Sequence, residues 1–352
     1  MSDAPFRLIA LTGCLALACA CSRTLTVTDA PELSLRSVAS VSVKADPELG
    51  GVSLGTDNTY VILASASAAE EPEFMRGQLF TYYTDAAKWQ ASSASGPGLA
   101  GSYTHTPIYW PFGDVKMDFL ALALKPAAYD AINAIVPESI SFYRASEGGA
   151  AGGVSIADWD TYAKQYDVMY AVSNAQSNGN NPGGTLPLNF QHTMAVVGFT
   201  AKSSSEGGIF TLKKISLKDL KYRGTLVIDN TTTALDISWN VPLGDACQCD
   251  KEVPLTMDEF SVPGSTASGL AIKCTDHLLV IPQTSHSVEL TYHVKNSIPD
   301  LTCTLALPRT VWKAGHRYIY DLVFTPTEIR VSGVTVTDWD GTPVDDTAVI
   351  SN

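Results

Sequence analysis

Basic residues are scarce in this sequence of 352 residues. Its 23 lysines and arginines stand against 36 aspartates and glutamates, which gives a formal net charge of −13. No run of lysine or arginine interrupts this acidic balance. A protein that binds nucleic acid or anionic headgroups needs a positively charged patch. The composition therefore argues against nucleic acid as a partner and against electrostatic attachment to a membrane surface.

The sequence also lacks the residue patterns of catalytic and metal sites. The histidines fall singly, without the paired spacing of metal ligands, at His105, His192, His277, His286, His293 and His316. The segment from Gly51 to Gly55 matches the nucleophile motif of α/β-hydrolases by letter. That motif requires a following helix, whereas Tyr60 to Leu63 predicts a strand. The acidic run that begins at Asp338 lacks the terminal glutamate of a calcium loop. We therefore expect no enzyme, no metal and no cofactor.

The apolar run at the N-terminus is too short for a transmembrane helix, which needs about 20 residues. Arg7 precedes this run, which extends from Leu8 to Ala20 and ends at Cys21. A basic start, an apolar centre and small residues at the end are typical of an export signal. We predict a lipoprotein signal over residues 1–20 with an acylated (palmitate-bearing) Cys21. Cys14 and Cys19 are the alternative acylation sites, and a cleaved signal without lipid is the other alternative.

Few cysteines follow the signal, and an exported chain can bond them. They are Cys247, Cys249, Cys274 and Cys303. One or two disulfides are expected among these four, for which three complete pairings exist. Zinc is the alternative, but a Cys-x-Cys pair lacks the usual ligand spacing.

Helical patterns are scarce, and alternation of apolar and polar residues prevails. The segments from Val288 to Val294, Leu301 to Leu307 and Tyr318 to Phe324 alternate with period two, as half-buried strands do. Leu278 to Ile281 predicts a strand that is buried on both faces. The short helix candidates are residues 127–135 and 156–166. The pattern predicts an all-β protein with sandwich-type domains.

Asparagine, glycine and proline cluster between Ser173 and Thr185 and predict a boundary there. We expect an N-terminal sandwich over residues 37–185 and a C-terminal sandwich over residues 186–352.

Several segments, in this order, resemble the fimbrillin family of Bacteroidales pili and its lipoprotein relatives. They are Thr106 to Pro111, Gly113, Asp118 to Ala121, Asp167 to Ala171, Leu188 to His192, Ile281 to Gln283, Ala314 to Tyr320 and Trp339. Leu120, Leu122 and Leu124 depart from the family pattern, which has more aromatic residues there. The resemblance covers roughly residues 75 to 345 and implies two tandem transthyretin-like Greek-key β-sandwiches.

The resemblance also implies a structural fimbrial protein of the outer membrane and cell surface, assembled by strand exchange with other fimbrial subunits. A protease removes an N-terminal strand, and a strand of a neighbour fills the groove. Residues 21–36 are the candidate removable segment, with Arg36 as the predicted cleavage site and Arg23 as a poorer one. The lipid would link the protein to the outer membrane. The sequence does not distinguish a stalk subunit from an anchor or a tip.

The candidate donor segment comprises residues 328–352. Ile329 and Val331 share one parity, whereas Val334 and Val336 have the other. We therefore predict two short strands with a bulge or turn at Ser332-Gly333. Deletion of residues 328–352 is expected to leave a folded monomer that does not polymerise. The alternative is that these residues form ordinary edge strands of the second sandwich.

A monomeric surface adhesin or glycan-binding lipoprotein is the alternative function. Trp110, Trp339 or the loop tips would then bind host or bacterial glycans or proteins, since tryptophan rings stack on sugars.

Overall fold

The computed structural model describes residues 30–37, 54, 60–68, 74–95, 102–125, 140–143, 152–162, 165–205, 208–231, 235–242, 247–264 and 271–339. The predicted acylation sites Cys14, Cys19 and Cys21 lie outside the described residues, as do the predicted helix over 127–135 and nearly all of the Gly51 to Gly55 motif.

Strands account for almost all regular structure in the described residues. The first eleven are β1 (Ser34–Ser37), β2 (Val61–Ser67), β3 (Met75–Tyr83), β4 (Lys88–Ser95), β5 (Ser102–His105), β6 (Met117–Leu124), β7 (Ile140–Tyr143), β8 (Gly153–Asp160), β9 (Val168–Gln176), β10 (Thr185–Leu188) and β11 (Gln191–His192). Two single 3₁₀ turns, Asn178–Asn180 and Pro182–Gly184, lie between β9 and β10.

The remaining strands follow from Ala195 onwards. They are β12 (Ala195–Ser203), β13 (Phe210–Lys221), β14 (Arg223–Asp229), β15 (Asp236–Asn240), β16 (Gln248–Glu252), β17 (Phe260–Ser261), β18 (Ile272–Lys273), β19 (Leu278–Val280), β20 (Gln283–Thr284), β21 (Ser287–Val294), β22 (Leu301–Ala306), β23 (Val311–Trp312), β24 (His316–Phe324) and β25 (Ile329–Asp338).

The all-β prediction is confirmed, and so are the predicted strands with period two. β24 buries Tyr318, Tyr320, Leu322 and Phe324 on one face, and β19 is buried throughout. In the described part of the chain, no helix has the length and apolar character needed to cross a membrane.

The helix predicted over residues 156–166 is wrong, because β8 occupies residues 153–160. Val154 and Ile156 alternate with less buried residues and pack into the core, while β7 and β14 pair with the two edges of β8. Pairing with strands distant in the sequence thus overrides the local helical pattern.

A nine-stranded sheet forms the first half of the molecule. Its order is β10-β1-β4-β3-β2-β6-β9-β11, with β5 paired to β4. One face encloses a core with Phe119, Ala121 and Ala123 of β6. The other face carries Leu120 and its alternate neighbours, and packs against the four-stranded sheet β15-β14-β8-β7. This second face accounts for the leucines that depart from the fimbrillin pattern, since β6 is covered on both sides.

Two five-stranded sheets enclose the core of the second half. One has the order β18-β12-β24-β25 with β19 paired to β12, and the other has the order β16-β13-β21-β22 with β17 paired to β13. Phe199, Tyr320 and Phe324 from the first sheet meet Leu212 and Leu290 from the second. β25 and β22 end these sheets, so each has an unpaired edge within the described fold.

Strand pairing crosses the boundary predicted at residue 185. β14 and β15 follow that boundary, yet β14 pairs with β8, which precedes it. β10 begins at the boundary and pairs with β1. The division into two tandem sandwiches at residues 185 and 186 stays a prediction.

Candidate assembly site

Strand β1 lies between two strands that are distant from it in the sequence. It pairs in parallel with β10 along its whole length. On its other side it pairs antiparallel with β4, but only at Ser34 and Leu35. We call the space between β4 and β10 that β1 occupies the β1 slot.

Two leucines fill the apolar side of the β1 slot. Leu33 and Leu35 are fully buried and belong to the same core cluster as Trp89 and Leu186. Complete burial of a leucine side chain contributes about 1.5–3 kcal/mol. Removal of β1 would therefore expose an apolar groove flanked by two unpaired strand edges.

Backbone hydrogen bonds hold the residues that precede β1. The Leu33 amide donates to the carbonyl oxygen of Ile108 at 2.8 Å, and the Trp110 amide donates to that of Pro31 at 3.2 Å. The segment around Trp110, which carries part of the fimbrillin resemblance, thus acts as a third strand-like neighbour of the N-terminal residues.

Gly184 closes the slot from the β10 side. It has a positive φ of +76°, and an added Cβ would lie 2.2 Å from the carbonyl oxygen of Glu32. The indole Nε1 of Trp110 donates to the carbonyl oxygen of Gly184 at 2.9 Å. Only glycine combines this backbone conformation with so close an approach.

Glu32 makes the polar contacts of the N-terminal segment. Its Oε1 accepts hydrogen bonds from Nε2 of His105 at 2.6 Å and from Nε2 of Gln90 at 3.1 Å. The side chain of Glu32 is 22% exposed and that of His105 is 36% exposed. The ring of His105 also contacts Tyr83, with 5.5 Å between the ring centroids. We call Glu32, Gln90 and His105 the carboxylate clasp.

The predicted cleavage site Arg36 is exposed on β1. It lies beyond the two residues that pair with β4, so β10 alone pairs with its backbone, with Pro187 opposite. A protease must bind its substrate in an extended form, which requires local opening of a folded strand. Pairing on one side only makes that opening less costly at Arg36 than in the centre of the sheet. Cleavage itself stays a prediction.

The candidate donor residues lie on β25, a single strand rather than the two short strands predicted. Between Val331 and Gly333 the register with β24 shifts by one residue at Ser332, which confirms the predicted bulge. The bulge reverses the parity, so that Ile329, Val331, Val334 and Val336 all pack against the same core. β25 is an edge strand of its own sheet, which is the alternative that the sequence left open.

Trp339 fixes the C-terminal end of β25. Its ring stacks on His192 of β11 with 3.8 Å between centroids and an interplanar angle of 8°. Nδ1 of His192 is hydrogen-bonded to Oδ2 of the buried Asp167 at 2.6 Å. We call these three residues the Trp339 clamp. His192 thus has a structural role, between a buried carboxylate and the Trp339 ring.

The predicted disulfides among Cys247, Cys249, Cys274 and Cys303 are not met, since all four are free thiols in the structure. Cys249 on β16 and Cys303 on β22 have β13 and β21 between them. Three strand spacings amount to about 14 Å, and a disulfide requires Cα atoms within about 7 Å. Cys274 is buried in the core, and this burial raises the pKa of its thiol to about 12.

The tryptophans proposed as sugar platforms are not available for stacking. Trp110 is 2% exposed and Trp339 is 3% exposed, because both rings pack in the core. This corrects the alternative in which these two rings bind glycans. Among the described residues, no group of three or more metal-ligating side chains comes together.

Sequence reasoning missed the carboxylate clasp and Gly184. Glu32 and His105 are 73 residues apart, and Trp110 and Gly184 are 74 residues apart. No local pattern relates such residues. The glycine pair at 183 and 184 is visible in the sequence, but it predicts only a loop and not a close contact with Glu32.

The family model described as fimbrillin-like matches residues 56–339. A fimbrial protein from Bacteroides vulgatus ATCC 8482 is similar in structure, with 14% identity, coverage of 88% of this chain and 99% of that chain, and a TM-score of 0.56.

Two candidate cell adhesion proteins are similar at lower scores. The protein from Bacteroides uniformis ATCC 8492 has 16% identity, covers 88% of this chain and 99% of its own, and has a TM-score of 0.49. The protein from Bacteroides ovatus ATCC 8483 has 15% identity, covers 88% and 97%, and has a TM-score of 0.47. No curated protein matches the sequence. Because the family model spans most of the sequence, the chain belongs to the fimbrillin-like family.

Proposed function

We propose that this chain is a structural protein of surface fimbriae that assembles by strand exchange. Proteolysis after Arg36 removes residues 21–36, and an extended strand of a neighbouring subunit then occupies the β1 slot. Membership of the fimbrillin-like family supports the fimbrial role.

The seating of β1 is the observation that carries this proposal. Only two of its residues pair with β4, yet Leu33 and Leu35 are fully buried. β1 is short and precedes every other described strand, and its departure takes from β10 the one strand with which β10 pairs in the described sheet. Its departure leaves a groove that supplies both backbone partners and apolar pockets, which are the two requirements of strand addition.

The state of the N-terminus decides between two roles in this proposal. A chain that keeps an acylated Cys21 remains attached to the outer membrane and serves as an anchor. A chain cleaved after Arg36 loses the lipid together with the first three residues of β1, and serves as a stalk subunit.

N-terminal sequencing of the protein recovered from surface filaments tests the proposal, together with electron microscopy of the same cells. We expect assembled material to begin at Ser37 and the Arg36→Ala variant to reduce filaments. Arg76→Ala is the matched control, since Arg76 is exposed on β3 away from the slot. Assembled filaments that begin at Cys21, or unchanged filaments in Arg36→Ala cells, would contradict cleavage as the assembly step.

A further inference from the structure

We infer that the β1 slot selects its occupant by sequence. It favours an extended segment of a different fimbrial subunit in which a carboxylate residue is followed by an apolar residue, a small residue and a second apolar residue. The inference rests on the proposed function, because an incoming strand reaches the slot only after β1 leaves it.

The first position of this pattern follows from the carboxylate clasp. Gln90 of β4 and His105 of β5 both direct a donor to a single oxygen of Glu32. When Glu32 leaves with the N-terminal segment, these two donors lose their shared acceptor. An aspartate or glutamate at the equivalent position of the new strand restores both hydrogen bonds, whereas a lysine brings a third donor and a positive charge.

The third position follows from the burial of Ser34. This serine is fully buried, and its Oγ lies 2.9 Å from Oγ1 of Thr185 on β10. A larger side chain at this position must displace β10 or its own strand. The slot therefore accepts a serine or a residue of similar size here.

The second and fourth positions are the apolar ones. Leu33 and Leu35 are fully buried beside Trp89 and Leu186. Ile, Leu and Val suit these positions, since a polar residue there would be buried without a hydrogen-bond partner.

A second copy of β25 does not fit this pattern. The segment that begins at Glu328 carries Ile329 and Val331 at the apolar positions, but Arg330 stands where the slot requires a small residue. β25 is also paired with β24 along its length in its own sheet. We therefore assign the occupant to another subunit with the carboxylate, apolar, small, apolar order.

Competition between peptides for the cleaved protein tests this inference. The full chain is cut with an arginine-specific protease, and a labelled peptide of residues 30–37 is bound to it and followed by fluorescence anisotropy. The unlabelled competitors are the same peptide, its Glu32→Lys, Ser34→Leu and Arg36→Lys variants, and a peptide of residues 326–333. Arg36→Lys is the matched control, since Arg36 is exposed.

We expect Glu32→Lys to compete about fivefold less well, because the two hydrogen bonds that the carboxylate accepts are partly exposed and each contributes modestly. Ser34→Leu and the 326–333 peptide should compete about tenfold less well, because both overfill the buried position. Arg36→Lys should compete like the unchanged peptide. In the His105→Glu protein, the preference between Glu and Lys at position 32 should reverse. If the His105→Glu protein does not fold, the series of competitor peptides measured on the unchanged protein tests the inference by itself.

Equal competition by all peptides, or no binding of the unchanged peptide, would overturn the inference. Tighter binding of the 326–333 peptide would instead assign the slot to a second copy of this chain. Incorporation of this chain into filaments on cells that produce the other fimbrial subunits judges the proposed function separately. Filaments without peptide selectivity would refute only the inference, and selectivity without filaments would refute only the proposed function.

Discussion

At the scale of single residues, a steric contact and an electrostatic contact determine how the N-terminal segment is held. Gly184 permits the turn that precedes β10 to approach the Glu32 backbone, and the carboxylate clasp binds the side chain of the same residue. Both act on Glu32, which precedes the two buried leucines. Position 32 therefore fixes the register in which the leucines enter the core.

Gly184→Ala should loosen the N-terminal segment. The new Cβ would meet the Glu32 carbonyl oxygen at 2.2 Å. We expect the free energy of unfolding to fall by about 2–3 kcal/mol, from backbone strain plus steric overlap. Urea denaturation measures this loss, and the rate of cleavage after Arg36 should rise in parallel.

Gly183→Ala is the matched control, because Gly183 also has a positive φ but nothing lies within 4 Å of its added Cβ. Its cost should be only the strain of about 1–2 kcal/mol, without faster cleavage. Equal effects of the two substitutions would contradict a steric role for Gly184.

The Cys274 thiol should be unreactive in the folded protein. Burial raises its pKa to about 12, above an ordinary value of about 8.5–9. At pH 8 only about one thiol in 10⁴ is then a thiolate, the reactive form. Iodoacetamide labelling with peptide mass spectrometry should modify Cys249 before Cys274, with urea-unfolded protein as the fully labelled control. Equal labelling in the folded state would contradict this burial.

The same shift makes a stability contribution that depends on pH. The folded pKa lies above the unfolded one, so the folded state binds the proton more tightly. The contribution is complete below about pH 9 and is lost as the pH rises through about 12.

At the scale of elements, the two terminal strands differ in how firmly they are integrated. β1 has four residues, which all pair with β10, whereas only two of them pair with β4. β25 has ten residues, pairs with β24 throughout apart from one bulge, and ends in the Trp339 clamp. We therefore expect the release of β1 to cost less free energy than the release of β25.

Trp339→Ala should release the end of β25. The substitution removes a fully packed ring and the stack on His192, with an expected loss of about 3–5 kcal/mol. Hydrogen exchange of the β25 amides near residue 336 should become faster, while that of β21 changes little. Trp339→Phe keeps an apolar ring and should cost less than half as much. Unchanged exchange in Trp339→Ala would show that pairing with β24 alone fixes the strand.

The strands with clear alternation could be predicted from the sequence, because side-chain parity decides which residues face the core. β21 and β24 follow this rule, and the bulge in β25 followed from the change of parity at Ser332-Gly333. β8 was mistaken for a helix since its partners, β7 and β14, are not local. The β1 slot combines Ser34 with Thr185, 151 residues away, and no local pattern indicates such a pairing.

At the scale of the whole molecule, the two terminal strands of the described fold, β1 and β25, are both held by residues distant in the sequence. Residues distant in sequence meet at both places, since β1 pairs with β10 and Trp339 stacks on His192. Deletions at the two ends should therefore have opposite effects on folding and on assembly.

Deletion of residues 328–352 should not leave the folded monomer that the sequence alone suggested. It removes β25, including the buried Val336 and Trp339, and uncovers β24. We expect a loss of cooperative thermal unfolding, measured by circular dichroism, because the edge of the second core is exposed.

Deletion of residues 340–352 removes none of the described strands and is the matched control, with an expected melting temperature within a few degrees of the full chain. Electron microscopy of the shorter deletion tests whether residues 340–352 are needed for assembly. Loss of filaments would place the strand that this chain donates beyond Trp339, and filaments that are kept would exclude residues 340–352 as that strand. A folded, cooperative protein after deletion of residues 328–352 would contradict the integrated role of β25.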